Sequence, residues 1–407
     1  MSGLFANYIS FLKYGIVLIF LPSIITGFFP GKITLATVIC GWLFMYMYLF
    51  KYRRLIQVSE FEGNKIRSFF IAYMLFLYIR GWGNIDSVTD IYTSLGANIF
   101  FCFLFPAIIC MASPGSMYYV MRSFIRPGIF LCIICFLFPP SDGMMSLAHN
   151  ASFLNVFILC IPFVKFKWKV IIPLCVLFVV FLDLDRRSIM VNNVFPFLLI
   201  AFLPFVKRKV IKSVILACLI LLPIVFGYLA FKGTFNIFEY MNDVTYSVST
   251  DSRSLLTDSR SSIYEDVFGE LKKNNRYAVG LGCNGKTETS LSSLVSSDYA
   301  SIYKYGRPST ESGMLNYIQY GGMIGCVLYG LLLLIASYKA IYKSNNAFIL
   351  LLGLFVAFKF LYSFIEDQIM YNAHSFYIFL WIGMCYNKTF RQMSDTEIKV
   401  YLNRIFD

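Results

Sequence analysis

Charged residues are scarce in this sequence. Asp, Glu, Lys and Arg together make up 14% of the 407 residues, whereas 58% are hydrophobic. A soluble globular domain carries about 25% charged and about 45–50% apolar residues. The shortage of charge argues against a soluble domain. The apolar residues also occur in long blocks, as expected for helices that cross a bilayer and need roughly 20 residues each.

Signatures of metal chemistry are sparse as well. The chain has two histidines, His149 and His374, and no H-E-x-x-H, so a zinc-protease helix is excluded. Eleven cysteines are present, but ten lie in or beside apolar blocks, where a thiol behaves as a small hydrophobic side chain. We therefore predict that the protein holds no metal and no cofactor.

Basic residues outnumber acidic ones, 35 against 22, for a formal charge of +13. A nucleic-acid partner is not indicated, because the basic residues form short clusters between the apolar blocks. Such clusters mark the cytoplasmic side of a membrane protein. They are Lys51, Arg53 and Arg54; Lys165, Lys167 and Lys169; Lys207, Arg208, Lys209 and Lys212; Lys339 and Lys343; and Lys388, Arg391, Lys399 and Arg404.

The apolar blocks predict an all-α, polytopic membrane protein of about twelve transmembrane helices, although the fifth and sixth could instead form a re-entrant pair. With the N-terminus in the cytoplasm, every basic cluster falls on that side. The chain then divides into a bundle of about nine spans (1–231), one large extracytoplasmic loop (232–313), further spans (314–387) and a cytoplasmic tail (388–407). The predicted spans are 13–29, 33–50, 67–80, 96–112, 127–140, 151–164, 170–184, 187–206, 212–231, 314–337, 347–365 and 371–387.

The loop 232–313 carries similar numbers of basic and acidic residues, which a translocated loop tolerates. Within it, Ser262-Ile-Tyr-Glu265 has the pattern of a capping box at a helix start. Four apolar residues then recur at helical spacing, which predicts an amphipathic helix lying at the outer membrane surface. They are Ile263, Val267, Phe268 and Leu271.

Two arginine segments of the predicted outer face could bind an anion. Arg186 and Arg187 lie in a tight turn between two spans, where charges either pair with each other or line a wet cavity. Arg260 lies at the start of the predicted amphipathic helix, whose N-terminal N–H groups also attract anions. Because a guanidinium can bind two phosphate oxygens at once, we predict an anion site. The alternatives are a self-paired turn and an isolated surface arginine.

Glu311 lies where the polar loop enters the tenth span. A partly desolvated carboxylate there would have a raised pKa and could accept a proton. The alternative is a carboxylate that only stabilises a helix N-terminus. Upstream, the glycines of Gly280-Leu-Gly282-Cys-Asn-Gly285 permit a close backbone approach. We interpret that segment as a turn, since no β-α-β unit surrounds it.

The order of these motifs is similar to that of the bacterial O-antigen polymerase and O-antigen ligase superfamily. An arginine at the mouth of a span is followed by Asp258-Ser-Arg260 with an aromatic residue four positions on. A Gly-Leu-Gly turn comes next, and then Glu311-Ser-Gly leading into a span that contains Gly321-Gly322. The resemblance covers most of the chain as topology. It implies a GT-C-like bundle in the bacterial inner membrane, with both termini cytoplasmic and the active site periplasmic.

The activity implied by the resemblance is metal-independent, inverting transfer of a glycan from undecaprenyl diphosphate onto a lipid-linked repeat unit. Arg260 and Glu311 become the catalytic candidates, Arg260 as stabiliser of the leaving group and Glu311 as base. The donor diphosphate would be held by four arginines: Arg186, Arg187, Arg253 and Arg260. Three further candidates for substrate contacts are Tyr264, Arg307 and His374.

Two other functions remain open. Ligases of this superfamily commonly carry His-Asn where this chain has Glu311-Ser312, so the resemblance implies a polymerase rather than a ligase that transfers glycan to lipid A-core. The expected partners are the lipid-linked oligosaccharide, membrane lipids and a chain-length regulator. A flippase for lipid-linked oligosaccharides is the alternative from another class, but it would carry charges near the membrane midplane and two related halves.

Overall fold

The computed structural model describes residues 2–18, 40–41, 43–45, 47, 50–52, 60–85, 105–137, 152–182, 187–231, 259–288, 306–307, 309–366 and 372–407. These residues are helical, without a strand among them; isolated antiparallel bridges join Phe61 to Asn387 and Thr287 to Arg307. The predicted all-α class is therefore confirmed for the described part of the chain.

Two of the described helices begin well before the spans predicted for them, and the others that match a predicted span follow it to within about five residues. The first helix begins at Ser2, whereas its span is predicted from residue 13; most of the predicted spans 33–50 and 96–112 lies outside the described residues. The fifth span is predicted from residue 127, but its helix begins at Pro114. Arg122 lowers the hydropathy of this stretch; its guanidinium donates to the Tyr118 hydroxyl one turn earlier (2.8 Å), which keeps the polar group satisfied on the helix surface. The helices are α1 Ser2–Ser10, α2 Asn64–Gly81, α3 Pro114–Leu137, α4 Phe166–Leu182, α5 Arg187–Ala201, α6 Leu203–Val206, α7 Lys209–Phe231, α8 Ser259–Lys273, α9 Gly313–Tyr342, α10 Ala347–Tyr362, α11 Ala373–Tyr386, α12 Lys388–Gln392 and α13 Asp395–Phe406.

A 3₁₀ helix, Ser152–Phe163, connects α3 to α4 in the chain and corresponds to the predicted sixth span. Its twelve residues rise about 2.0 Å each, so it covers more length than an α-helix of the same size. The Phe163 carbonyl accepts from Asn403 of α13 (3.2 Å). Lys165, two residues after the 3₁₀ helix, pairs with Asp407, the residue that follows α13 (2.6 Å). The 3₁₀ helix therefore ends beside the tail helix.

Helix α10 forms the centre of the fold. Every residue of α10 except Leu361 is buried, and the helix packs against α5, α7, α9, α11 and the 3₁₀ helix. A helix that is apolar all round requires such a surround. Among the described residues, one helix, α9, is by itself long and apolar enough to cross a membrane.

Basic clusters from distant parts of the chain meet at one end of the fold, which we call the basic end. Helix α13 lies across it: Lys165 pairs with Asp407 (2.6 Å) and Lys207 with Asp395 (3.5 Å). Asp395 also accepts from the N–H of Ala347, the first residue of α10 (2.7 Å). Four of the five basic clusters thus share one end of the described structure, as the sequence predicts; Arg53 and Arg54 of the first cluster lie outside the described residues.

At the same end, Glu62 binds two cations. Its Oε2 accepts from Lys339 of α9 and from the buried Arg391 of α12, both at 2.6 Å. Partial burial raises the pKa of Glu62, but hydrogen bonds and attraction from the two cations outweigh it, so the pKa lies below its usual value.

We expect the Glu62 cluster to make stability depend on acidic pH. A carboxyl whose pKa is lowered by folding stabilises the protein above its unfolded pKa, and this contribution is lost as the pH falls through the folded value. Glu62→Gln should therefore lower the melting temperature at pH 7 and flatten its decline between pH 5 and pH 3. Melting curves in detergent at several pH values would measure this. The control is Glu60→Gln, two residues earlier, and equal pH profiles for the two variants would contradict the prediction.

Candidate functional site

Helix α9 is broken near its start, at Gly322. This residue has φ +58° and ψ −157°, a conformation that essentially only glycine adopts. The segment after α8 fills the break: the carbonyls of Tyr277 and Ala278 accept from the N–H groups of Met323 (2.9 Å) and Ile324 (3.1 Å). The broken helix therefore keeps its backbone groups satisfied by hydrogen bonds to another segment.

The glycine segment Gly280–Gly285 lies directly on this break. The N–H groups of Leu281 and Gly282 donate to the carbonyls of Gln319 (2.8 Å) and Tyr320 (2.9 Å) in α9. A Cβ on Gly280 would come within 2.4 Å of the Gly322 nitrogen, so the two backbones meet where no side chain fits. The interpretation as a turn is confirmed, since Gly280 and Gly282 have positive φ.

Sequence reasoning passed over Arg80, which anchors the glycine segment to α2. Its Nη2 donates to the carbonyls of Val279 (2.7 Å) and Gly280 (2.6 Å). Asn84 donates to the Leu281 carbonyl (3.0 Å). A signal was available, because a cation at the outer end of a predicted span departs from the positive-inside pattern.

Sequence reasoning also missed a match to a known nucleotide-binding motif. Residues 280–287 match G-x-x-x-x-G-K-[ST], the phosphate-binding loop of nucleotide hydrolases. Such a loop follows a strand and cradles phosphates with free N–H groups. Here the segment follows the helix α8, and six of its eight N–H groups bond to backbone carbonyls instead. The match therefore does not form a nucleotide site.

The segment from Arg307 to Ser312 leads into α9 and is held by Asn316. The Asn316 side chain accepts from the Thr310 N–H (2.7 Å) and donates to the Thr310 carbonyl (2.9 Å). Ser312 caps α9 by accepting from the Leu315 N–H (3.3 Å). The backbone on either side of Glu311 is thus fixed, although Glu311 itself precedes the helix.

Glu311 does not have the environment predicted for it. Its side chain is 60% exposed and its Oε1 lies 3.6 Å from Nη2 of Arg307, which is 14% exposed. The prediction of a partly desolvated carboxylate is therefore wrong. Glu311 is exposed because it lies one residue before the helix cap, and it is the side chain of the cap residue, Ser312, that points into the core. Arg307 and Glu311 are brought together as a pair.

Helix α8 is present but differs from the prediction in two respects. It begins at Ser259, so Ser262 and Glu265 lie inside it and do not form its cap. Its apolar residues Ile263, Val267 and Leu271 are buried, and α8 packs against α7 and α9. The apolar stripe therefore faces protein rather than lipid. The prediction of a helix lying on the membrane surface by this stripe is wrong for these residues.

The end of α10 joins α8 to the start of α9. The Phe364 carbonyl accepts from the Tyr264 hydroxyl of α8 and from the Ser312 hydroxyl (3.2 Å). The Ser312 hydroxyl also donates to the Ser363 carbonyl (2.8 Å). We call the region around Gly280–Gly285, Ser312 and Ser363 the loop end. It lies at the opposite end of α9 and α10 from Lys339 and Ala347, which belong to the basic end.

The predicted arginines can be located only in part. Arg260 is the second residue of α8 and lies one turn before Tyr264, as predicted for a helix start. Arg187 is the first residue of α5, which packs against α10. His374 lies in the first turn of α11, whose last residues approach Phe61 at the basic end, so His374 lies towards the loop end. Arg186 and Arg253 lie outside the described residues.

A further cation lies below the loop end and was not predicted. Lys359, in the last turn of α10, is 1% exposed. Its Nζ lies 3.3 Å from Oδ1 of Asn192 in α5 and 4.7 Å from the ring centroid of Tyr362. A lysine inside an apolar block is a signal of function that the sequence already contained.

Comparisons of the chain with protein-family models, with curated proteins and with solved structures return no match.

Proposed function

We propose that this protein is a membrane glycosyltransferase of the O-antigen polymerase kind, transferring a polyprenyl-diphosphate-linked glycan onto a lipid-linked repeat unit. The observation that carries the proposal is the composition of the loop end. The helix start that bears Arg260, the segment Arg307–Ser312 and the end of α10 are joined there by hydrogen bonds to the Phe364 carbonyl. This brings together the segments that bear the candidate diphosphate and base residues.

The twelve-span topology is part of the proposal, with the loop end in the periplasm and the basic end in the cytoplasm. It is supported by the segregation of charge along α9 and α10: Lys165, Lys207 and Lys339 meet α13 or its neighbours at one end, and the described residues 259–288 and 309–313 of the loop meet the other. A bundle inserted by the positive-inside rule requires that separation. Fusions of alkaline phosphatase after residues 270 and 390 test it, and phosphatase activity is expected only from the first.

The proposed chemistry needs no nucleotide, because the donor is already activated. A hydroxyl oxygen of the acceptor sugar attacks the anomeric carbon of the donor glycan, and the bond from that carbon to the diphosphate oxygen breaks with inversion. The hydroxyl proton passes to Glu311. Polyprenyl diphosphate leaves with an added negative charge, which the guanidiniums of Arg260 and Arg187 would stabilise by paired hydrogen bonds.

Deletion of the gene tests the function and separates it from the ligase. Loss of a polymerase should leave single repeat units attached to lipid A-core, whereas loss of a ligase should leave none attached. Electrophoresis of the surface polysaccharide distinguishes the two. Unchanged polymer would reject both enzymes. A flippase would instead move a fluorescent lipid-linked oligosaccharide across proteoliposomes that contain only this protein, without lengthening it.

Glu311→Gln tests the base separately from binding. Loss of a positioned general base typically lowers a rate by about 10²–10⁴-fold, so we expect the polymerisation rate to fall by at least about a hundredfold while donor binding is retained. Because Glu311 is exposed and paired with Arg307 rather than packed, the variant should fold normally. Glu288→Gln is the control, because it also removes an exposed carboxylate that pairs with one cation, Lys273 (3.1 Å), and it should leave the rate unchanged. Full activity of Glu311→Gln would assign proton transfer to another group.

A further inference from the structure

Helices α3 and α4 both begin at the basic end and run away from it. The Tyr401 hydroxyl of α13 donates to the carbonyl of Pro114, the first residue of α3 (2.8 Å). Helix α4 begins one residue after Lys165, whose Nζ pairs with Asp407 (2.6 Å). The two helices also pack against each other. They are therefore neighbours that run in the same direction.

One contact fixes how far the two helices are shifted along each other. The Cys132 thiol of α3 lies 4.0 Å from the Cys175 carbonyl oxygen of α4. Arg122 is ten residues before Cys132, and Lys165 is ten residues before Cys175. Because each residue of an α-helix rises about 1.5 Å, Arg122 lies at the level of Lys165, and Lys167 lies within one turn of that level. Cations of the two helices therefore share one level.

The electrostatics of Asp407 show the same grouping of cations. The hydrogen bond from Lys165 lowers the pKa of this carboxyl, and attraction from Lys165, Lys167 and Arg122 lowers it further. Cations from α3 and from the start of α4 thus act on one carboxylate. Since Lys165 is paired with Asp407 (2.6 Å), the other two remain available to a second anion.

Arg122 and Lys167 have aromatic neighbours. The Arg122 guanidinium donates to the Tyr118 hydroxyl (2.8 Å), and the Lys167 Nζ lies 5.5 Å from the ring centroid of Trp168. Arg126, one turn beyond Arg122, is exposed. Tyr and Trp are enriched where a membrane protein meets the lipid headgroups. The cations therefore lie at the level expected for headgroup phosphates.

Exposed apolar side chains continue from these cations along both helices. A residue turns an α-helix by about 100°. Counted from the contact between Cys132 and Cys175, this rotation places the apolar residues of both helices on one side of the pair, the side that also carries Arg126 and Lys167. They are Phe130, Ile133 and Leu137 of α3 and Phe166, Val170, Leu174, Leu177 and Phe181 of α4.

We propose that this side of α3 and α4 binds an anionic phospholipid, with its phosphate at Arg122, Arg126 and Lys167 and its acyl chains along the exposed apolar residues. A guanidinium can bind two phosphate oxygens at once, and basic residues at the ends of membrane helices attract anionic lipids. A zwitterionic lipid brings its own cation towards these three and binds more weakly. The inference goes beyond the proposed function and depends only on α3 and α4 lying in a bilayer.

Native mass spectrometry of the detergent-solubilised full chain tests the site, with phosphatidylglycerol and phosphatidylcholine of identical acyl chains as probes. A cation near the membrane surface contributes about fivefold in affinity for an anionic lipid. For Arg126→Gln combined with Lys167→Gln we expect about twenty-five-fold weaker binding of phosphatidylglycerol and unchanged binding of phosphatidylcholine. Both side chains are exposed, so the melting temperature without added lipid should equal that of the wild type.

The matched control is Arg208→Gln combined with Lys209→Gln. It removes two exposed cations from the basic end, and Arg208 lies over the Phe205 ring (5.8 Å) as Lys167 lies over that of Trp168. The control should bind phosphatidylglycerol as the wild type does.

Wild-type affinity for phosphatidylglycerol in the variant that lacks Arg126 and Lys167 would overturn the inference. Equal losses in the two double variants would also overturn it, because they would assign the binding to net charge. Glycerol 3-phosphate carries the phosphate without the acyl chains, and displacement of the lipid by an equal concentration of it would reject a lipid site. Each of these results leaves the proposed glycosyl transfer intact.

Discussion

We expect Arg260→Ala to abolish polymer formation while the protein still inserts and folds. Arg260 is the second residue of α8, and the substitution leaves in place the buried stripe of Ile263, Val267 and Leu271 on the helix that packs against α7 and α9. The leaving diphosphate would lose the charge that stabilises it, and removal of one such donor costs about 10²–10³-fold in rate. Arg260→Lys should recover little, since an ammonium cannot bind two oxygens in a planar fork.

Polymer length on gels of surface polysaccharide, together with the amount of protein in the membrane, measures this outcome. Arg276→Ala is the matched control: Arg276 is an exposed arginine just beyond the other end of α8. It should support normal polymer. Wild-type polymer length in Arg260→Ala would remove Arg260 from the mechanism.

Gly322→Ala is expected to prevent correct folding. An added Cβ would lie 2.5 Å from the backbone of Ala278 and from the nitrogen of Gly280, and φ +58° with ψ −157° excludes a side chain whatever the space. Strain of this kind costs about 1–3 kcal/mol, before the separation of the two backbones is counted. Because the native stability of a protein is only about 5–15 kcal/mol, the monodisperse fraction should be small.

Fluorescence-detected size-exclusion chromatography after detergent extraction would measure that fraction. Gly269→Ala provides the control in the neighbouring α8, where an added Cβ meets nothing within 4 Å. It should be neutral or stabilise the protein by up to about 1 kcal/mol, as Ala does in place of Gly within a helix. Equal yields of the two variants would contradict the account of the α9 break.

The helices were the most predictable feature, because the apolar residues that mark a helix in the sequence are the same residues that the fold buries. Apolar blocks gave α9 and α10 to within a few residues. The spacing of the basic clusters predicts that they share a side, and the structure brings two of them together at α13 through Asp395 and Asp407. These predictions depend on local composition, which the sequence contains directly.

The site was less predictable, since its contacts join residues that are far apart in the chain. Nothing near Arg80 in sequence indicates that its partners are the carbonyls of Val279 and Gly280, about 200 positions away. Residues 280–287 match a phosphate-binding motif in sequence but do not form a phosphate site, for the same reason. Several of their N–H groups donate to carbonyls of α2 and α9, which are distant in the chain, and so cannot bind a phosphate. Glu311 was misjudged because its burial depends on where Ser312 places the helix start.

The break in α9 has a consequence for a chain surrounded by hydrocarbon. Kinked helices usually expose carbonyls that require water, a neighbouring side chain or a partner helix. Here Tyr277, Ala278, Leu281 and Gly282 supply main-chain partners on the inner side, while the apolar side chains of Met323 and Ile324 are exposed. The segment 277–282 thus satisfies the backbone groups at the break, and the bend in α9 could lie within the hydrocarbon without bound water. Any rearrangement of this segment would therefore also move the first part of α9, residues 313–321, and the residues at the start of the helix.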